Sequence, residues 1–528
     1  MPITKIFIEN FKGIGERVEI PLRPITLLFG ANSAGKSTIL QSLLYMRELL
    51  ERQNADADHL LASGASIDLG GFQKFVHKHD LKRKVRIGIE ISLDADGLPI
   101  HERYFSQGLS SLIYATRLSD CLSASVEIEV AWDTNSSRPW ITGYHIGIDG
   151  RHIGSIEAVP EKKGELTFFD LDHPILAPDE GADEILLDHE YSPIYDILSG
   201  LNSEFINEAP RWNVPLESGV IPKRGEGIWL GTDASEDEDL ELKLTQYCLQ
   251  RIFVGSGDLA LKELERIRHI GAFRDIPDRQ FSFRRSPSED RWANGAAAWD
   301  LLHRGNTPWL KKEAIDSLGL GYSIERQEYY EIPVDGATGA FLTKAIFEML
   351  DDEGMTLDVK ELWDINFETA KLPKISRIHL LDSNSGAKVG LSDVGVGVSQ
   401  VIPVVVGAMA PGYSVLSVEQ PELHIHPAVQ CALADVLAHQ VTGVSDRRIL
   451  LETHSEHIML RLLRRIRELN DEELPPGAPK IKPDDLSVLY IESTESGQTI
   501  TPLPITADGD FSRKWPKGFF EEREEELF

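Results

Sequence analysis

Residues 30–37, reading Gly-Ala-Asn-Ser-Ala-Gly-Lys-Ser, constrain this chain more than any other short stretch. The apolar run 25–29 precedes them and suits a buried parallel strand. Residues 38–50 follow, with Ile39, Leu40, Leu43, Leu44 and Met46 at helical spacing. Strand, glycine loop and helix is the context in which G-x-x-x-x-G-K-[ST] cradles phosphate, and it commits the chain to an α/β fold. Gly30 and Gly35 let backbone N–H groups curl round the β- and γ-phosphates at the positive end of the helix. Lys36 brings a point charge to the same phosphates, and Ser37 offers a hydroxyl to Mg²⁺. Asn32 and Thr38 complete the expected contacts, with ATP and Mg²⁺ as the expected cofactors.

Around this centre the pattern is uneven. Residues 4–8 alternate, 12–15 turn and 18–20 resume, which predicts an opening β-hairpin. Alternation between 85 and 130 predicts antiparallel strands. From about 130 to 330 periodicity weakens, and the acidic stretch 233–241 reads as an exposed linker or loop. Order returns after Lys374, with strands expected at 375–381, 414–418, 448–451 and 487–491 and helices at 429–437 and 456–469. The expected division is an N-terminal lobe with the phosphate loop (1–130), an inserted mixed region (131–370), a second lobe (371–475) and a C-terminal cap (476–528). A chain of 528 residues supports several such units.

A net charge of −31 repels polyphosphate, so nucleic acid would need a local basic groove. No apolar run approaches the roughly 20 residues that span a bilayer. The first residues lack the layout of a secretory leader, and three cysteines stand without metal-like spacing. A cytoplasmic location without a membrane partner is the expectation.

The second chemical cluster is the run 415–427, Val-Leu-Ser-Val-Glu-Gln-Pro-Glu-Leu-His-Ile-His-Pro. An apolar strand ending in an acid beside the phosphate loop is what holds Mg²⁺ in phosphoryl-transfer sites, which makes Glu419 a metal-side candidate with Ser37. The run resembles the Walker B and D-loop region of ABC-type ATPases of the structural-maintenance-of-chromosomes and overcoming-lysogenization-defect classes. Those usually read apolar-apolar-Asp-Glu-Pro-Glu-x-x-Leu-His-Pro. Here Glu419 stands for the Asp and Gln420 for the catalytic Glu. A neutral amide cannot take a proton from attacking water, so hydrolysis is expected to be slow, with Glu422 as a nearby compensating carboxylate.

The same resemblance extends to the run 450–455, where His454 matches the switch histidine that reaches the γ-phosphate. His424 and His426 flank the D-loop, with no second pair at ligand spacing to suggest a metal. The run 393–400 stands where such ATPases carry their signature loop. Gly395 would occupy the serine position, Gly397 would follow it, and Ser392 or Ser399 could supply the hydroxyl; a simple turn is the competing reading. Gln73, or His77, lies where the Q-loop belongs, against a surface loop as the alternative. The stretch 271–279 around Arg274 resembles a segment near the head in this class. Arg461, Arg464 and Arg465 form one side of the last helix, either a nucleic-acid or partner surface or a solvated basic face.

Taken together, the resemblance implies an ABC-type ATPase head: an α/β fold with a P-loop, a mixed sheet, an antiparallel lobe and a large inserted middle region. It also implies a homodimer with two ATP molecules sandwiched head to tail. The absence of heptads argues against a long-armed chromosome organiser. The stretch after His454 is short for a nuclease domain. The ending 507–523 resembles the C-terminal cap of bacterial ATPases associated with defence against phages. The expectation is therefore an ATP-gated dimer that regulates a separately encoded effector. A DNA-binding repair ATPase and an ATP-stabilised scaffold are the alternatives.

Overall fold

The apolar run ahead of the phosphate loop forms the strand Ile25–Gly30, buried along its whole length. Such two-sided burial is what a parallel sheet covered on both faces imposes. Ile25, Leu27 and Phe29 join one hydrophobic core and Leu28 the other, so the strand divides the two. The computed structural model describes residues 1–99, 117–158, 164–176, 240–277, 289–305, 315–330, 374–443, 446–495 and 497–513, with short pieces between 203 and 228 and isolated positions between 283 and 343. Residues 233–239 of the acidic stretch, Asp278, Arg279 and the tail from 514 lie outside the described residues.

The central sheet runs in the order Ile267–Ile270, Val415–Glu419, Arg448–Glu452, Ile25–Gly30, Leu486–Thr494, Gly497–Pro502. The first five are parallel to their neighbours, and the last returns antiparallel as a hairpin. The switch strand, Arg448–Glu452, thus lies between the loop strand and the acidic strand Val415–Glu419. Glu419 pairs with Glu452, and Glu452 with Leu28. The five parallel strands deliver their carboxyl ends to one edge, where open α/β sheets bind ligands.

A second, antiparallel sheet has eight strands in the order Val214–Leu216, Gly164–Phe169, Arg151–Ala158, Arg138–Ile148, Ser123–Asp133, Val85–Ser92, Ile3–Glu9, Val18–Pro21. The expected opening hairpin is its edge, with Ile3–Glu9 paired on both sides. The helix Thr38–Arg52 buries Leu40, Leu43 and Leu44 in the same core. Its Tyr45 packs on Phe11 and Phe75 and donates its hydroxyl to the Ala55 carbonyl at 2.7 Å. This α/β architecture, a mixed sheet with an antiparallel lobe, agrees with the expected fold class. Among the described residues no helix is long and apolar enough to cross a membrane.

Two charged contacts fix the helices that frame the site. Arg268 donates to the Gly407, Ala410 and Pro411 carbonyls at the end of the helix Val396–Met409 and lies over the rings of Trp292 and Tyr413. A cation there complements the negative end of the helix dipole. Arg461 and Arg465 of the helix Glu456–Asn470 both bind Asp435 on the helix Pro427–His439, and Arg464 and Arg465 bind Glu468. The basic face read from the sequence is therefore divided: Arg464 stays solvated at 62% exposure, while Arg461 and Arg465 turn to the neighbouring helix. Arg465 is only 7% exposed and its charge is spent holding two helices together.

The antiparallel sheet carries a histidine pair, in which Ser155 Oγ lies 2.8 Å from the half-buried His145 Nδ1 and 2.9 Å from His152 Nε2. Burial first, and then Arg86, pull the His145 pKa down to about 4. Because the unfolded histidine binds protons more readily, stability is fully present above its ordinary pKa and is lost as pH falls towards the folded value. At about 1.4 kcal/mol per pKa unit the loss is at most about 3 kcal/mol. Urea midpoints should therefore fall between pH 7 and pH 4.5, and His145→Gln should flatten that decline; an unchanged decline in the variant would refute the assignment.

Candidate nucleotide site

Lys36 is almost wholly buried, and its Nζ donates to the Gly30 and Ala31 carbonyls, each at 3.1 Å. The same ammonium lies 3.3 Å from His454 Nε2. An ammonium can only donate, so Nε2 is the unprotonated nitrogen and the imidazole is neutral. Burial, and then the Lys36 charge, lower the His454 pKa, with Glu422 opposing them. Burial lowers the Lys36 pKa too, opposed by Glu452 and Glu422.

Ser37 donates its hydroxyl to Glu452 Oε2 at 2.9 Å, and Glu452 Oε1 lies 3.8 Å from Lys36 Nζ. Glu452 ends the switch strand directly opposite Glu419. Burial, and then the neighbouring Glu452 charge, raise the Glu419 pKa. A hydroxyl and carboxylates are hard oxygen donors of the kind Mg²⁺ takes, one or two carboxylates at a time together with substrate phosphates. Among the described residues no group of three or more His, Cys, Asp and Glu is arranged for an all-protein metal cage. Ser37 with an adjacent carboxylate suits a cation bound together with nucleotide phosphates.

Glu422 turns towards the segment 453–455. Its Oε2 accepts from Thr453 Oγ1 and its Oε1 from the His454 backbone N–H, both at 2.7 Å. Thr453 Oγ1 in turn accepts from the Ser455 N–H, and Ser455 caps the helix Glu456–Asn470 by accepting from the Ile458 N–H. Both carboxylate oxygens thus latch the switch loop.

Gln420 turns the chain with a left-handed φ of 43°, while its N–H donates to the Glu452 carbonyl at 2.7 Å. Such a φ is uncommon for a residue with a side chain and clusters at functional turns. Arg274 Nη2 donates to the Glu419 carbonyl at 2.6 Å, and Gln400 Nε2 donates to the Arg274 carbonyl at 2.7 Å. Burial pulls the Arg274 pKa down to about 10, with Glu422 and Glu419 opposing. Arg274 therefore ties the start of the helix Val396–Met409 to the end of the acidic strand. Gly395 stands just before that helix, and a Cβ on Gly397 would come within 2.5 Å of the His424 carbonyl oxygen. His426 caps its own helix through the Ala428 N–H.

The Q-loop candidates separate. Gln73 is exposed on the short helix Phe72–Phe75, whereas His77 is buried with Nδ1 2.9 Å from the Lys12 carbonyl. Asn32 is exposed in the phosphate loop, and Thr38 is buried at the start of the following helix. Sequence reasoning missed Glu452 and Gln498. Glu452 carries the signal used for Glu419, an acid closing an apolar strand. Gln498 carries none, since the C-terminal hairpin that brings it here is joined to the loop only by the fold. A Cβ on Gly35 would lie 1.6 Å from Gln498 Nε2, and one on Gly30 2.2 Å from the Ile491 carbonyl oxygen. The Gln498 N–H donates to the Gly13 carbonyl at 2.7 Å.

Residues 1–128 match the family described as AAA ATPase domain, and residues 245–460 that described as AAA domain, putative AbiEii toxin, Type IV TA system. The chain carries AAA-type ATPase domain sequence. Residues 481–528, which include Gln498, match a family described as a protein of unknown function. No curated protein sequence matches. Among solved structures, this chain is similar to the Smc head bound to the C-winged helix domain of ScpA (12% identity, 96% of this chain and 98% of that one, TM-score 0.36). It is also similar to the SMC head domain from Thermotoga maritima (8%, 96% and 100%, 0.37). A third is the Smc head domain with an extended coiled coil bound to the C-terminal domain of ScpA derived from Pyrococcus furiosus (10%, 96% and 97%, 0.35).

Removing the Glu422 latch leaves the Thr453 hydroxyl and His454 N–H without their acceptor. Glu422→Ala should lower folding stability by roughly 1–3 kcal/mol. It should also speed amide exchange at His454; unchanged exchange there would refute the latch.

Proposed function

We propose that this chain is an ATP-binding, dimerising ATPase head whose hydrolysis is slow and whose nucleotide state regulates a separately encoded effector in antiphage defence. The observation that carries the reading is the convergence of Lys36, Ser37, Glu419, Glu452 and His454 from three neighbouring parallel strands and the phosphate loop. The loop amides and Lys36 bind the β- and γ-phosphates at the helix N-terminus. Mg²⁺, held by Ser37 and Glu419, would neutralise phosphate charge. His454 is placed beside Lys36 to follow the γ-phosphate. Gln420 can orient water by hydrogen bonding but cannot take its proton. With Glu422 engaged in the switch loop, no compensating base comes from the D-loop, and the ATP-bound state is long-lived.

Dimerisation is supported by exposed apolar side chains on the signature side. Phe273, next to Arg274, is 86% exposed, and Val396, one turn before Gln400, is 46% exposed. Gly395 and Gly397 would close with them on the nucleotide of a second copy. ATP then acts by favouring the closed dimer, since a ligand shifts an equilibrium by its difference in affinity for the two states. The family description naming a putative toxin of a toxin–antitoxin system supports a defence role. DNA binding through the arginines of the last helix is disfavoured by their engagement with Asp435 and Glu468.

Light scattering after size exclusion should show a dimer with Mg-ATP and less of it without nucleotide, and Lys36→Ala should abolish binding of a fluorescent ATP analogue. Gln420→Glu should raise turnover by at least about tenfold, because a positioned general base contributes about 10²–10⁴. Brisk wild-type turnover that Gln420→Glu leaves unchanged would refute the slow-clamp reading.

A further inference from the structure

The metal-side acid of the site is not where the sequence pattern alone would put it. Neighbouring strands lie about 4.8 Å apart, and Glu419 sits two strands from the loop strand, beyond the switch strand. Its side chain leans further away, with Oε1 3.7 Å from His269 Nε2 on the next strand out. Glu452 sits one strand away. It accepts the Ser37 hydroxyl proton at 2.9 Å and reaches Lys36 Nζ at 3.8 Å. Of the carboxylates at this edge, Glu452 accepts from the hydroxyl of the phosphate loop, while Glu422 is taken by the switch loop. Lys36 can offset one of the two facing negative charges of Glu452 and Glu419. Arg274 acts on Glu419 from the other side, and a divalent cation between the two carboxylates would screen both from the phosphates.

We propose that Glu452 is the acid that orients Ser37 and joins Glu419 in holding the divalent cation of the bound nucleotide. The inference rests on the nucleotide reading above and adds a ligand from the switch strand. Because Glu452 directly precedes Thr453 and His454, the segment beside the γ-phosphate also carries a cation ligand. Loss of the phosphate would then release the metal site and the switch loop together.

The test titrates the full-length protein with a fluorescent ATP analogue, once in EDTA and once across a MgCl₂ series. Glu452→Gln should need at least about tenfold more Mg²⁺ to reach its tight-binding state, while its affinity in EDTA stays within about twofold of wild type. Glu452→Asp should recover part of the loss. A manganese resonance signal from the nucleotide complex should broaden in Glu452→Gln if a protein ligand has been removed. Wild-type Mg²⁺ dependence in Glu452→Gln would overturn the assignment. So would a loss of affinity in EDTA equal to that in Mg²⁺, which marks a merely structural residue. Absence of wild-type binding under either condition would overturn the nucleotide reading itself, and the inference with it.

Discussion

The parallel register of three strands sets the geometry of the charged groups at the phosphate loop. Leu28 lies opposite Glu452, and Glu452 opposite Glu419, so the phosphate loop, the switch segment and the acidic turn leave the sheet at one height. Backbone hydrogen bonding holds that alignment, and burial on both faces of the loop strand makes a slip costly. Shifting a strand by one residue would move its whole apolar set to the opposite face. The Ser37–Glu452 contact depends on this register.

Around it, the charged groups of the site are placed against one another. Lys36 is surrounded by two loop carbonyls, His454 and Glu452. Arg274 donates from Nη2 to the Glu419 carbonyl, and Glu422 accepts from Thr453 and the His454 N–H. Breaking one member of such a set exposes another to the full penalty of an unpaired buried charge. The depressed pKa values of His454 and Arg274 share a first cause, burial, which also makes the nearby hydrogen bonds stronger than in water. The site is consequently coupled: the acidic turn, the switch loop and the start of the signature helix are joined through Glu422 and Arg274.

Close approach decides the remaining architecture. Gly30 and Gly35 both have left-handed φ values, and the C-terminal hairpin occupies the space that side chains there would need. The glycines of the motif therefore have two duties. They free the backbone to curl round phosphate, and they admit Ile491 and Gln498 against the loop. Only the first of these was readable from the motif.

Much of the two sheets and of the site between them was legible because local pattern and tertiary context agree. The strand, loop and helix around Gly30 and Ser37, the opening hairpin, the acidic strand and the switch strand all follow from hydrophobic periodicity over short spans. Identity of the chemical groups was equally local: Lys36 and Ser37 follow from the spacing of the phosphate-loop motif, and Gln420 and His454 from the resemblance of their short runs to family motifs. Pairing was not. The exposed placement of Gln73, the engagement of Glu422, the spent arginines of the last helix and the Ser37–Glu452 bond all depend on which distant segments the sheet order brings side by side. Periodicity along a strand says which way a side chain faces and nothing about which strand lies next to it. The chain's own residues therefore determined that a phosphate loop with an acid and a histidine would form. The tertiary structure alone decided which acid stands beside Ser37, because strand order depends on long-range packing of two cores.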